Sequence, residues 1–289
     1  MHLSPVRAED LHHALGRDQP ALTSSVRRLE EVCGAPLFER SGRGIKFTAA
    51  GHVMLKWARR TRLDVDEARR EIEDIGSGLS GTVRIGIIPT AAQFLLPRAV
   101  RQLIAEAPEI KLQTIVGLSD LLHPKLRTGE LDMTIETESE PESGITSQIL
   151  SEDPIVVAAS ASHEIFLGSP VLKDLCAYRW VLQPPGAPTR DWLDQTFERR
   201  NLPRPDVQIE SSMLLMLPTL IAETGLLSFI SRHHLRAGQL GAGLKEVNVK
   251  GTTMRRRMVV TYRDRSYLSP ASHRLIALLA TAAKGTSTL

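Results

Sequence analysis

Between Gln19 and Val32 the apolar residues Ala21, Leu22, Val26 and Leu29 recur at helical spacing, which predicts a helix with one apolar face. Asp18 supplies an N-cap, and Pro20 suits the first turn. The opposite face holds Gln19, Thr23, Ser24 and Arg27. After Gly34 the run Pro36-Leu37-Phe38 re-enters a core, and Glu39–Phe47 predicts two short strands around a Gly-rich tip bearing Arg40, Arg43 and Lys46. A longer helix starts at a Thr48 cap and runs to about Ile75, where Gly76-Ser77-Gly78 stops it. Along it Met54, Ala58, Thr61, Val65, Ala68, Ile72 and Ile75 advance by alternating steps of four and three. So narrow a seam between charged flanks predicts pairing with a second copy, because a helix packed on its own domain shows a broader apolar face.

From Val83 onward the pattern becomes strands alternating with helices, which predicts an α/β fold with a parallel sheet. Strands are predicted at Val83–Ile88, Ile110–Val116 and Asp132–Glu136, with helices from Pro89 to about Glu106 and at Ser119–Arg127. Pro154–Ala159 should cross into a second lobe. There strands at Trp180–Leu182, Val207–Glu210 and Leu226–Ile230 alternate with helices at Val171–Leu175, Arg190–Arg199 and Met213–Thr224. Met258–Tyr262 should return to the first lobe, and Ser269–Ala283 should close it as an amphipathic helix. Two crossings imply a hinge and a cleft.

The exposed inventory of the first helix suits a DNA major groove: an amide for adenine, hydroxyls for base or phosphate, and arginine for guanine or phosphate. With the basic hairpin beside it, this is a winged helix-turn-helix in outline. Here QPAL, RRLEE, PLFERSGRG and FTAAG resemble the DNA-binding domain of the LysR-type transcriptional regulators. GTVRIGII, LLPRAV, EAPEIKLQ and RTGELDMTI resemble their effector-binding domain, so the likeness covers almost all of the chain after residue 11.

That resemblance implies three parts. Residues 1–47 are a winged helix-turn-helix, and residues 48–80 are a linker helix whose antiparallel pairing makes a dimer. Residues 81–289 are a two-lobed, type II periplasmic-binding-protein-like effector domain, with lobe I at 81–153 and 258–289 and lobe II at 154–257. It also implies a dimer of dimers on double-stranded promoter DNA, a small-molecule effector, and contact with RNA polymerase.

The chain departs from the family pattern at its start. Before Leu11 stands only MHLSPVRAED, so most of the family's first helix is absent from the chain as written. Each large side chain it would cover loses about 1.5–3 kcal/mol if left wet. Leu11 and His12 replace the usual small-residue pair, Asp18 replaces a serine, and Ser24 replaces an arginine, which predicts an altered operator or weaker specificity.

Charge supports a nucleic-acid partner. The net charge of +3 conceals a concentration within Arg17–Arg62, where ten basic residues face four acidic ones, a local excess of +6. No apolar run is long enough to span a membrane and no signal-peptide core precedes Gln19, so a cytoplasmic address is expected. Cys33 and Cys176 fit no metal or redox spacing and read as buried small residues. The adjacent pairs His12-His13 and His233-His234 are poor zinc ligands. No metal or cofactor is expected.

Helix N-termini at strand ends suit polar ligands, which points to Thr90 and Ser119 in the first lobe, to Gln183-Pro184 and Ser211-Ser212 in the second, and to Thr137 near the hinge. In the resembled family, hydroxyls at the Thr90 and Ser119 positions help hold the effector; as plain capping residues they would look the same. Catalytic fingerprints are missing, and Glu136, Glu138, Glu140 and Glu142 read as a solvated loop. The leading reading is an effector-modulated DNA-binding transcription regulator rather than an enzyme. The alternatives are a dimerising ligand-binding protein defective in DNA binding and an enzyme on a solute-binding fold.

Overall fold

A computed structural model describes residues 19–41, 44–75, 79–236 and 243–287. The chain divides into two compact units between Arg69 and Arg70.

In the first unit, helix α1 (Gln19–Cys33) ends at Gly34, whose φ of +67° is the left-handed stop that glycine adopts freely. Strands β1 (Phe38–Ser41) and β2 (Gly44–Phe47) form an antiparallel hairpin with Phe38 opposite Phe47, ring centroids 4.8 Å apart. The Glu30 carboxylate accepts the Leu37 and Phe38 N–H groups at 2.7 and 3.3 Å, so the end of α1 holds the entry to the hairpin. Helix α2 (Ala49–Asp74) starts at Thr48, whose hydroxyl accepts the Gly51 N–H at 3.0 Å and donates to the Pro36 carbonyl at 2.7 Å. The expected apolar face of α1 is only partly covered: Val26 is half-buried, while Ala21 and Leu29 are exposed. Cys33 and Cys176 are half-buried free thiols rather than buried ones, because each lies at a helix end where the last turn meets solvent.

The second unit holds two five-stranded sheets. The first has the order β4-β3-β5-β12-β6, with β3 (Gly81–Ile87), β4 (Ile110–Val116), β5 (Met133–Thr137), β6 (Ile145–Glu152) and β12 (Arg257–Arg263). The second has the order β11-β7-β10-β8-β9, with β7 (Ile155–Ser160), β8 (Arg179–Leu182), β9 (Asp206–Glu210), β10 (Leu227–Ser231) and β11 (Leu244–Glu246). Both sheets are mixed rather than parallel: β12 runs antiparallel to β5 and β6, and β7 runs antiparallel to β10 and β11. The cause is the double crossing, in which the outgoing and returning segments lie side by side and run in opposite directions. There Ile155 and Met254 exchange both backbone hydrogen bonds, at 2.9 and 3.0 Å.

Helices α3 (Pro89–Phe94), α4 (Leu96–Glu106) and α9 (Pro270–Ser287) contribute to a core with Val83, Ile85, Ile87, Met133, Ile135 and Val260 of the first sheet. The expected single helix from Pro89 to Glu106 is broken at Leu95, since Pro97 in the first turn of α4 has no N–H to continue the ladder. Helix α5 (Ser119–Arg127) joins the opposite face through Leu122 and Leu126, which cluster with Leu131. Gly86 of β3 lies under that contact, where a Cβ would stand 2.8 Å from both Leu122 and Leu131 side chains. In the second sheet, α6 (Pro188–Glu198) packs Leu193 and Phe197 with Trp180, and α7 (Leu217–Thr224) packs Leu217 and Ile221 with Val181 and Ile230.

The last turn of α2 is tied to the first sheet. Arg70 Nη1 reaches Asp132 Oδ1 at 3.1 Å, Asp132 also receives the Arg84 backbone N–H at 2.8 Å and its guanidinium at 2.7 Å, and the Tyr267 hydroxyl donates to Asp74 at 2.9 Å. No helix among the described residues is long and apolar enough to cross a membrane.

Candidate functional site

The parallel strands β3, β4 and β5 end at one edge of their sheet, with Ile87 beside Val116 and Ile135. Thr90 and Ser119 lie in the first turns of the helices that follow β3 and β4, and Thr137 ends β5, so three residues distant in sequence share one border. Thr90 is 3% exposed in the first turn of α3, and its hydroxyl has no hydrogen bond to a described residue. Ser119 opens α5 and donates its hydroxyl to Glu136 Oε2 at 2.7 Å. Thr137 is half-buried beside Met258 of β12.

Glu136 corrects the solvated-loop expectation. It is 1% exposed, also accepts from Thr134 Oγ1 at 2.7 Å, and lies 2.9 Å from His123 Nε2 through both carboxyl oxygens. Strand alternation explains this: Met133 and Ile135 enter the core, so Thr134 and Glu136 face the other side, where α5 packs. His123 also lies 3.7 Å from Glu142, which pairs with Arg127, and Glu138 pairs with Arg257 at 2.7 Å. Only Glu140 of the four lies in an exposed bend without a partner among the described residues. His123 and Glu136 are the residues that sequence reasoning missed. The partial signal for them was the one-turn spacing of Ser119 and His123 on α5 together with the alternation of β5, which leaves open the face of β5 that the helix covers.

In the second sheet β8 is parallel to both β9 and β10, and the same logic brings Gln183 and Ser211 together. The Ser211 N–H donates to the Leu182 carbonyl at 2.9 Å. The Gln183 side-chain oxygen accepts the Thr189 hydroxyl, and its backbone carbonyl accepts Arg190 Nη1 at 3.1 Å. Ser211 Oγ accepts the Met213 N–H at 3.1 Å. Pro184 and Ser212 are exposed on the same two loops. The 3-10 turn Leu214–Met216 packs on α3, so the loop after β9 meets the helix that carries Thr90. Nearby, Phe94 of α3 stacks on His233, in helix α8 (His233–Arg236), with centroids 4.0 Å apart.

At the crossing, Asp153 is fully buried, takes the Arg256 Nε–H at 2.7 Å and accepts the Ser231 hydroxyl. His234 is 4% exposed, and among the described residues both its ring nitrogens are buried without a hydrogen-bond partner. Burial pushes its imidazole from the usual 6.5 down to about 4; Asp153 opposes the shift, while Arg256 and His233 reinforce it. The unfolded chain therefore binds more protons than the folded one across that window. Stability should be complete above the ordinary histidine value and should fall as pH drops towards 4, by up to about 3 kcal/mol. Urea midpoints at about pH 5 and about pH 7.5 check this: His234→Leu should flatten the difference, and an equal acid loss in the variant would assign it elsewhere.

In the first unit Thr23, Ser24 and Arg27 are exposed along α1, and Arg40, Ile45 and Lys46 are exposed on the hairpin. Arg28, counted in the basic excess but not among the expected DNA contacts, donates to Ser24 Oγ at 3.2 Å, while Arg27 pairs with Glu31 at 3.5 Å and Lys46 with Glu39 at 2.9 Å. Gln19 and Pro20 lie in α1, but their side chains, like the whole of Arg43, are outside the described residues. Along α2, Met54 is half-buried, Ala58, Thr61 and Ala68 are exposed, and Val65, Ile72 and Ile75 are 62, 68 and 76% exposed. No group of His, Cys, Asp and Glu among the described residues could hold a metal ion.

Residues 76–284 match the family described as LysR substrate binding domain, and residues 13–52 match the bacterial regulatory helix-turn-helix protein, lysR family. The chain is 27% identical over 266 residues to the HTH-type transcriptional regulator GalR of Pseudomonas putida, covering 91% of this chain and 67% of that protein. Its fold is similar to that of a full-length OxyR variant from Pseudomonas aeruginosa, with a TM-score of 0.65 and 23% identity over 94% of this chain and 88% of that one. It is also similar to the Synechocystis CcmR regulatory domain in complex with 2-PG, with a TM-score of 0.62 and 22% identity over 71% of this chain and 98% of that one. A helix and basic hairpin followed by a two-sheet domain, each part matched to its own family model, place this chain in the LysR family of transcriptional regulators, with a helix-turn-helix domain and an effector-binding domain.

Proposed function

We propose that this regulator binds a small-molecule effector between its two sheets, against Thr90, Ser119 and Thr137 on one side and Gln183 and Ser211 on the other. The observation that carries this is the meeting of the two rows of strand ends where α3 packs on Leu214–Met216, beside the unpartnered hydroxyl of Thr90. Ligands of open α/β sheets bind at such strand ends. The 2-PG complex of the CcmR regulatory domain supports an effector site in the corresponding domain here.

In this reading α1 enters the major groove of double-stranded promoter DNA with Gln19, Pro20, Thr23, Ser24 and Arg27, and the hairpin follows the backbone with Arg40, Arg43 and Lys46. The stripe from Met54 to Ile75 pairs two copies, dimers associate in pairs, and the effector alters which DNA contacts the assembly makes. A regulator of this kind works in the cytoplasm and meets RNA polymerase at the promoter.

The test is fluorescence anisotropy of the full chain on its own upstream intergenic DNA and on a scrambled control, across a salt series. Selective, salt-sensitive binding is expected. Arg40→Ala should weaken binding to both DNAs alike and lower the salt slope by about one unit. An unchanged slope would remove the hairpin from the DNA contact, and absence of selectivity in the folded protein would overturn the DNA reading.

A further inference from the structure

The wall of the cleft near α5 has a fixed hydrogen-bond polarity. A serine hydroxyl has one proton and two lone pairs, and the Ser119 proton is already committed to Glu136 Oε2 at 2.7 Å. As a carboxylate Glu136 has no proton to return: it also accepts from Thr134 Oγ1 at 2.7 Å, and His123 Nε2 lies 2.9 Å from both its oxygens. A carboxylate only accepts, so the His123 tautomer that complements it is the one with the hydrogen on Nε2. The hydroxyl of Ser119 therefore turns only lone pairs towards a ligand. Asp120, an exposed carboxylate in the first turn of α5, adds another acceptor beside it and offsets the partial positive charge of the helix start.

Resting on the cleft reading above, we propose that Glu136 is a positioning residue for effector choice. By holding the Ser119 proton it makes this end of the cleft select a hydroxyl or ammonium group, as in a polyhydroxy or amino compound, over a carboxylate. A donor group completes the Ser119 lone pairs. A carboxylate oxygen in the same place meets lone pairs with lone pairs and leaves its own acceptors unmatched.

Three probes with one skeleton test this: benzyl alcohol, benzylamine and benzoate, titrated at millimolar concentration by calorimetry into the full-length protein. The alcohol and amine should bind about tenfold or more tightly than benzoate, as expected when a buried polar group rejects an unmatched partner. Glu136→Gln supplies an amide N–H that can donate to Ser119 and release its proton, so the preference should shrink or reverse in favour of benzoate. A merely structural defect would lower all three together. Ser119→Ala, at a half-exposed position that threatens the fold less, should cost the alcohol and amine their advantage.

Benzoate binding as well as the alcohol in the parent protein, with that binding lost in Thr90→Val, would overturn the ligand class and leave the cleft reading standing. Binding indifferent to Thr90→Val and Ser119→Ala alike would place the probes outside the cleft and overturn the cleft reading with it. No heat with any of the three probes would also count against the proposal, since two of them carry the donor group this wall is held to select.

Discussion

Gly51→Ala is expected to abolish DNA binding while leaving the effector-binding domain folded. In the middle of an exposed helix that exchange usually gains about 1 kcal/mol. Here the sign reverses, because the added Cβ would lie 2.0 Å from the Leu37 carbonyl oxygen, 3.0 Å from its carbon and 3.1 Å from the Phe47 ring. The oxygen cannot retreat freely, since it accepts the Thr48 N–H at 3.0 Å, and Thr48 in turn donates to Pro36 and caps α2. Relief requires prising the start of α2 off the strand entry that buries Leu37, at a cost of about 3 kcal/mol or more. Anisotropy on promoter DNA should show loss of selective binding, while thermal unfolding followed by tryptophan fluorescence should retain the transition reported by buried Trp180. Normal DNA affinity in the variant would mean that α2 and Leu37 approach less closely than described.

Asp153→Ala should be the most damaging change in the second unit, with an expected loss of about 3–5 kcal/mol, as for other broken buried ion pairs. The side chain is fully buried at the crossing and engages Arg256 and Ser231, so its removal strands a guanidinium that is only 17% exposed. Asp153→Asn keeps the shape but not the charge and should cost nearly as much. Pairing Asp153→Ala with Arg256→Met should restore part of the loss, because the uncompensated charge rather than the missing contact dominates. Urea unfolding of the four proteins checks this cycle. A loss below about 1 kcal/mol in the single variants would show that water reaches Arg256 and screens it.

Much of this architecture was legible because local chemistry and tertiary packing agree. Ile110–Val116 and Ser119–Arg127 coincide with β4 and α5, where alternation and helical spacing are both clear. The edge strand β6 escaped notice because Thr146, Ser147 and Gln148 dilute its apolar residues and it pairs on one side only. The three-residue β11 is too short to carry a period. Thr90, Ser119, Gln183 and Ser211 could be named as strand-end residues, but the partner of Ser119 could not. That Glu136 lies under a helix rather than in water depends on which face of β5 the helix covers, and a run of alternating acids reads the same in either case.

The placement of β12 also has a temporal consequence. This strand lies between β5 and β6, yet it is translated more than a hundred residues after either of them. β6 has no other neighbour in its sheet, so it cannot be stitched in until Arg257–Arg263 arrive. Every strand of the second sheet, by contrast, lies within the uninterrupted stretch from Ile155 to Glu246. On the ribosome the inner lobe can therefore close first, while the outer one waits with an unpaired strand edge exposed, and that interval is when the nascent regulator most needs protection from its own kind.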